Sequence, residues 1–461
     1  MKHIISVGAA KVDITPEYGT QLGGDIGRYR PVEEIRDRLY ARIIVIKANN
    51  KKLCLITCDT DCIIYEIGQE LRKTIAEQLK AEPEDVMLHC SQSHSSPRVG
   101  PFLLDHCNII APKLKWVCGD TPAYNDLFVS EIVKGVKKAM NQLVPVRVKF
   151  ARTIDNRCAS NRRYVMRDGR VKTHPANCDE NILYCEGPID PEASLLLFED
   201  FNSRPVAGIL HYTCHPIHGY PKRYVSADWP GIWSESVSRK LGNDCVVGCL
   251  NGFCGNISPR DHSNPDHRNP DYSNDISLDL MLKHLDSTGQ KLIDNLQAVN
   301  AFPIMRSSHI MNIPWERPPK KTISNAKELL KEHPMPIFLD SRNERISWDW
   351  VLAVRDLDKQ HIIESDPDYK FEIQVFRIGE AAVIGWPGEP FVEAQLDLKL
   401  RAKAKYLLAG HECNSGDCGY LPTKKAIKNG GYEVSIGRKL IAGTLEKATE
   451  KTIETINELF N

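Results

Sequence analysis

The sequence has no apolar run of about 18 residues, the length a membrane-crossing helix needs, so no integral membrane segment is expected. Charge of one sign is lacking as well: Lys+Arg and Asp+Glu both number 60, for a formal net charge of +0. That balance supplies no field to attract nucleic acid or an anionic membrane, and neither is expected as a partner. No CxxC pair occurs among the 15 cysteines, although Cys54, Cys58 and Cys62 recur at regular spacing and Cys413 and Cys418 flank a Gly/Asp turn. Structural zinc sites favour CxxC pairs, so the cysteines read as small buried hydrophobes and as free thiols of a reducing cytosol. The opening apolar stretch, Ile4 to Val7, is cut short by Gly8, Lys11 and Asp13. It is too short for a secretory signal and reads as a first strand. A cytoplasmic location is the resulting expectation. A GxSxG elbow is missing, and Ser95 and Ser96 beside His94 do not make a triad, which argues against a serine nucleophile. Walker and dinucleotide glycine motifs are missing too, so nucleotide cofactors are not indicated.

Hydrophobic residues make up 42% of the chain and charged residues 26%, an ordinary globular balance. β-branched runs at Ala41–Ala48, Leu53–Cys58, Asp85–Cys90 and Val146–Ala151 alternate with amphipathic helices at Ile64–Leu79 and Tyr124–Leu143. Further strands are expected at Ser194–Phe198, Val206–His211, Cys245–Leu250, Phe371–Arg377 and Ala381–Gly385. Helices are expected from Asp228 and over Ser277–Ala298, Ser324–Glu332, Phe391–Lys403 and Gly437–Leu459. Two polar stretches, Ile154–Pro191 and Pro259–Asn274, read as long loops, which inside a domain are usually functional. The alternation predicts an α/β fold, a mixed sheet with crossover helices. With no repeat and no low-complexity linker, residues 1–461 read as one domain, the alternative being a boundary near Phe302.

Four loops follow apolar strands, and α/β folds gather ligands at strand carboxyl ends. They are His89-Cys-Ser-Gln-Ser-His-Ser-Ser-Pro97; His211-Tyr-Thr-Cys-His-Pro-Ile-His218, followed by Ser226-Ala-Asp228; Gly385-Trp-Pro-Gly-Glu389; and Gly419-Tyr-Leu-Pro-Thr423, with Gly430-Gly-Tyr-Glu433 downstream. Taken singly, each has a plain alternative. A lone histidine is often a hydrogen-bonded structural residue. Glu389 can cap the helix that begins near Phe391, and Tyr420 can be an ordinary loop aromatic. As a set, they supply imidazole and carboxylate donors suited to Zn2+ with a position left open for water.

These residues also carry a family likeness. Gly8-Ala-Ala-Lys-Val-Asp-Ile-Thr-Pro16, Asp37-Arg-Leu-Tyr-Ala-Arg42, Thr57-Cys-Asp59, Ser93-His-Ser-Ser-Pro97, Thr213-Cys-His-Pro216, Ser226-Ala-Asp228, Leu250-Asn-Gly-Phe-Cys-Gly-Asn-Ile-Ser-Pro259, Pro387-Gly-Glu389 and Gly419-Tyr-Leu-Pro-Thr423 run in one order. In that order the chain resembles the catalytic domain of the neutral/alkaline non-lysosomal ceramidases. The resemblance implies a zinc-dependent amidohydrolase in which metal-activated water cleaves an N-acyl amide, in that family the amide of an N-acylated sphingoid base. It also implies metal ligands at His215, Glu389 and Tyr420, His94 beside the metal, and Asp228 supporting a histidine. The remaining family ligand, a histidine, is Gln92 here. Its amide oxygen is a weaker zinc donor than imidazole, so His94 or His89 can complete the site instead, or another metal can be used. The family's C-terminal immunoglobulin-like domain is expected to be absent.

On this reading His94 is the general base and acid. Asp228 fixes a histidine tautomer, and Tyr432 or Arg162 steadies the oxyanion. Arg162 and Arg163 otherwise read as a solvated loop pair. Two alternatives remain. One is a metallohydrolase acting on a soluble N-acyl amine or a carbohydrate derivative, for which Ser347-Trp-Asp-Trp350 is suited unless its tryptophans belong to the core. The other is an inactive binding protein, because of Gln92.

Overall fold

The computed structural model describes residues 4–106, 108–268 and 273–461. Residues 269–272 of the polar Pro259–Asn274 stretch lie outside the described residues. The β-branched run Tyr40–Ala48 turns back on Lys51–Cys58 through a two-residue connection in which Asn49 takes φ 51°. Asparagine tolerates this left-handed backbone, and short turns of that hand match the twist of the flanking strands. Around this hairpin grows a sheet in the order Val246–Asn251, Pro205–Tyr212, Glu192–Asp200, Val144–Ile154, Ile5–Asp13, Tyr40–Ala48, Lys51–Cys58 and Val86–Cys90. A second sheet runs Ile304–Pro314, Asp368–Ile378, Ala381–Gly385 and Tyr406–Gly410. Both sheets mix parallel and antiparallel pairs, as an α/β reading with crossover helices requires.

The sheets face each other. Ile44, Ile46, Leu55 and Met87 of the first share one buried cluster with Phe376, Val383 and Leu408 of the second. Helices Tyr65–Leu79 and Pro122–Met140 bury their apolar stripes on one outer face. Asp228–Leu241 and Asn274–Asp294 extend that cover. Val392–Arg401 and Thr444–Leu459 close the other outer face. The strands are therefore buried on both faces, which is why they read as continuous apolar runs.

Several elements depart from the sequence reading. The helix expected to Ala298 ends at Asp294, and Gln297–Val299 is a strand paired with Val144–Ile154. Ile304–Pro314 is a strand at the edge of its sheet, where alternate polar residues are tolerated and no apolar run marks it. Trp348–Ser365 is a helix packed on Lys320–Glu332. Ile154–Pro191 holds a small sheet, Ile182–Cys185, Arg163–Met166 and Val171–Thr173, in place of an open loop. Among the described residues no helix is long and apolar enough to cross a membrane, and the described cysteines are all free, most of them buried.

Candidate functional site

Three parallel strand pairs end at one place. Val86–Cys90 runs beside Lys51–Cys58, Pro205–Tyr212 beside Val246–Asn251, and Ala381–Gly385 beside Tyr406–Gly410. His89 ties these ends together. Its Nδ1 donates to the His411 carbonyl at 2.7 Å and its Nε2 accepts from the Asn251 amide at 3.1 Å. Both ring nitrogens are thus used in the backbone. Burial pushes the imidazole down to about 4, and its place as an alternative ligand is withdrawn.

The first histidine loop leaves the sheet through Gln92, whose φ is 65° and whose amide donates to the Thr60 carbonyl. This turn aims the Gln92 side chain inward, where Oε1 is buried without a hydrogen-bond partner. His94 is clamped by its backbone: its amide donates to Pro216 and its carbonyl accepts from Arg30. Its ring lies 5.1 Å from that of His215, edge to face. Burial lowers the His94 pKa, Asp61 opposes this, and Arg30 and Arg162 reinforce it.

His215 follows the strand Pro205–Tyr212 and is fully buried. Its Nδ1 faces the Cys254 carbonyl at 3.3 Å. A carbonyl only accepts, so the proton belongs on Nδ1 and the lone pair on Nε2. That Nε2 lies 3.8 Å from Glu389 Oε2, and both atoms are buried with no hydrogen bond. Glu389 and Tyr420 are partners in a two-residue parallel ladder, which sets them side by side. The turn before Glu389 needs Gly388: at φ 66° a Cβ there would come within 2.3 Å of Cys418 Sγ. Burial raises the Glu389 carboxyl to about 7, against the pull of Arg162 and of hydrogen bonds from Gln92 and Tyr420. The Arg162 guanidinium sits 5.3 Å from the centre of the Tyr420 ring.

Arg162 and Arg163 are no solvated pair. Both are buried, and Glu433 joins them, accepting from Arg162 Nε at 2.9 Å and from Arg163 Nη1 at 2.8 Å. Tyr432 is 41% exposed and meets Tyr420 edge to face at 5.9 Å. Loss of water around the hydroxyl itself, with the Glu389 charge adding to it, raises the phenol to about 12, so it keeps its proton at neutral pH. Asp228 stands at the start of its helix with φ 51°. The histidine it holds is His218: Asp228 accepts from His218 Nδ1 at 2.8 Å and from the His218 amide at 2.9 Å.

A cavity of about 130 Å3 opens over these groups, lined by Gln92, His94, Glu389, Tyr420 and Tyr432. Asp61 and Glu412 line it too, and the sequence reading passed over both. Each follows a strand end, the same position that drew notice to Glu389. Burial, then Glu389 and Asp61, hold the Glu412 carboxyl well above its usual range. Trp350 is core, as its plainer reading had it, while Trp348 sits at the cavity edge.

Among the described residues no three His, Cys, Asp or Glu side chains gather to hold a metal ion by themselves. The donors that meet here are a mixed set, His215 and Glu389 with Gln92 and Tyr420 beside Glu389. Buried donor atoms with no partner are costly, and His215 Nε2, Glu389 Oε2 and Gln92 Oε1 are three of them in one place. Nitrogen and oxygen donors of this kind suit zinc. The residues fit a metal on that ground.

The family model for neutral/alkaline non-lysosomal ceramidase, N-terminal, matches residues 5–279. The chain belongs to the neutral/alkaline non-lysosomal ceramidase family. Its sequence is 26% identical over 310 residues to a neutral ceramidase of Pseudomonas aeruginosa, a match that covers 61% of this chain and 42% of that relative. The chain thus aligns with under half of the length of this relative. The crystal structure of neutral ceramidase from Pseudomonas aeruginosa superposes on the whole chain and on 75% of its own, with TM-score 0.71 and 16% identity. A ceramidase complexed with C2 gives TM-score 0.73 at 15% identity, over the whole chain and 76% of its own. The ceramidase-like α/β fold is therefore shared.

Proposed function

We propose that the protein is a zinc-dependent hydrolase that cleaves the amide of an N-acylated small molecule. The observation that carries this is the facing pair His215 Nε2 and Glu389 Oε2, 3.8 Å apart and without hydrogen bonds, under a cavity walled by Tyr420 and Gln92. His215, Glu389 and Tyr420 would hold the metal, with Gln92 Oε1 as a weaker fourth donor. A zinc ion bound there supplies Lewis acidity, lowering the pKa of water and polarising a carbonyl.

The chain's own residues supply the rest. His94 is neutral at pH 7 because burial lowers its pKa, so a ring nitrogen is free to take the proton of the attacking water. It returns that proton to the departing amine nitrogen. Tyr432 lines the cavity beside Tyr420, and its hydroxyl is the candidate donor to the oxygen on which charge develops; Arg162 lies behind Tyr420, its guanidinium bonded to Glu433 and the Gly255 carbonyl. Asp228 holds His218, and the backbone of this loop carries His215; its role is to keep the loop in place. Residues 1–461 act on this account as one catalytic domain. A reducing cytoplasm suits its free cysteines.

The experiment is release of fatty acid from N-lauroyl sphingosine, N-lauroyl ethanolamine and N-lauroyl glucosamine by the purified chain, before and after chelation. Hydrolysis lost with the chelator and restored by zinc is expected, as is its loss in His94→Ala. Hydrolysis that survives chelation contradicts the reading. Gln92 at the fourth donor position also suits a protein that binds without turnover, and that second reading gains if none of the three compounds is cleaved although zinc is bound.

A further inference from the structure

A second cavity of about 250 Å3 adjoins the first, and Phe102, Arg355 and Lys439 line both. Its apolar lining is made by Ile64, Leu103, Leu104, Ile362 and Trp315. Lys359 and Lys439 line it as well, together with the carboxylates of Glu66, Asp358, Asp366, Asp368 and Asp417. Among the described residues no carboxylate pairs with either ammonium, and the Lys439 ammonium rests 5.0 Å from the centre of the Phe102 ring. Asp366 faces Lys370 at 4.0 Å, and the acids whose charge reaches the two ammoniums, Asp417, Asp356 and Glu316, are bonded to other groups. Asp417 accepts from the Tyr65 amide at 2.6 Å and from Arg98 at 3.4 Å. Asp358 accepts the backbone amides of Asp105 and His106. Asp356 pairs with Arg355 at 2.9 Å, and Glu316 with Arg438 at 3.1 Å.

Lys359 therefore feels the charge of Lys439, and no carboxylate among the described residues stands within ion-pair distance of either ammonium. Burial lowers Lys359 to about 8, with Arg355 and Lys439 adding to the fall. Burial lowers Lys439 too, Asp417 opposing and Arg98 and Arg355 reinforcing. Half-buried cations without a partner are costly to keep, and an anion placed between them recovers that cost through charge-assisted hydrogen bonds.

We propose that this second cavity receives the oxyanion of an anionic N-acyl substrate, with Lys359 and Lys439 as its donors and the apolar wall against its chain. The inference rests on the hydrolase reading for the word substrate, but its binding test does not. The probes are N-lauroylglycine (carboxylate), N-lauroyl phosphoethanolamine (phosphate) and neutral N-lauroyl ethanolamine. Calorimetric Kd values are compared for the zinc-supplemented full chain and for Lys359→Met, Lys439→Met and the double variant.

At least one anionic probe is expected to bind about tenfold or more tightly than the neutral one, the scale of a hydrogen bond to a charged group. Which of the two does so tells carboxylate from phosphate. The gap should close in the double variant. Equal binding of the neutral probe, or a gap that survives the double variant, overturns the proposal. If the variants unfold, salt decides on the unaltered chain: binding of the anionic probe must weaken between low and high ionic strength while that of the neutral probe does not. Fatty-acid release is followed on the same probes. A binding gap without release leaves the anion site standing and removes the hydrolase reading; release without a gap does the converse.

Discussion

His215 turns its Nε2 towards Oε2 of Glu389 at 3.8 Å, although the two residues come from different sheets. The approach is fixed from behind. The Cys254 carbonyl sets the imidazole, and the ladder to Tyr420 sets the carboxylate. Two donor atoms held this firmly, Nε2 and Oε2, each without a hydrogen bond, are preorganised for a third atom between them.

Gln92 should be the weak member of that set. Replacing it with histidine puts an imidazole on the same left-handed backbone, which histidine tolerates better than most residues. Gln92→His is expected to tighten zinc binding by about tenfold or more, the lower end of what single partners contribute at metal sites. Competition with a chromogenic chelator measures it. An unchanged zinc Kd would show that position 92 does not reach the metal.

Glu433 neutralises two buried guanidiniums, Arg162 and Arg163, and accepts a further bond from Thr173 at 2.8 Å. Removing one partner of a buried charge network strands the others, at about 3–5 kcal/mol. Glu433→Gln should lower unfolding stability on that scale in urea titrations. It should also disturb activity, because Arg162 is the residue that packs on Tyr420. A loss under about 1 kcal/mol, the level of exposed pairs, would contradict the network.

Asp37 gives a pH signature. Burial raises its carboxyl from 3.8 to about 6, outweighing hydrogen bonds from the Ala227 amide and Ser226, and Asp59 and Asp228 add to the rise. The folded state then holds its proton more tightly than the unfolded chain does. Stability from this group is present below its ordinary pKa and is lost as pH rises through the folded value of about 6. The whole effect is a few kcal/mol at most. Asp37→Asn should flatten the difference between urea midpoints at about pH 4.5 and about pH 7. A slope equal to that of the unaltered chain would mean that Asp37 ionises normally.

Much of this was legible in the sequence because buried strands announce themselves. Tyr40–Ala48, Lys51–Cys58 and Ala381–Gly385 are apolar on both faces, and the loops that follow them carry the site. The elements that escaped notice have weaker signals. Ile304–Pro314 alternates with serine, histidine and asparagine at a sheet edge, and Trp348–Ser365 buries residues scattered around much of its circumference. Within the site, His89 and His94 look alike in sequence. Only the backbone partners that take both nitrogens of His89 tell a tie between strands from a group open to the cavity. Arg162 and Arg163 looked solvated because the acid that buries them, Glu433, lies far along the chain.

The most direct test is metal content. The purified chain, His215→Ala and Glu389→Ala are dialysed against zinc, desalted and assayed by mass spectrometry, with circular dichroism to check folding. The account predicts near one zinc per chain in the unaltered protein and almost none in either folded variant. Full occupancy in both variants would contradict it.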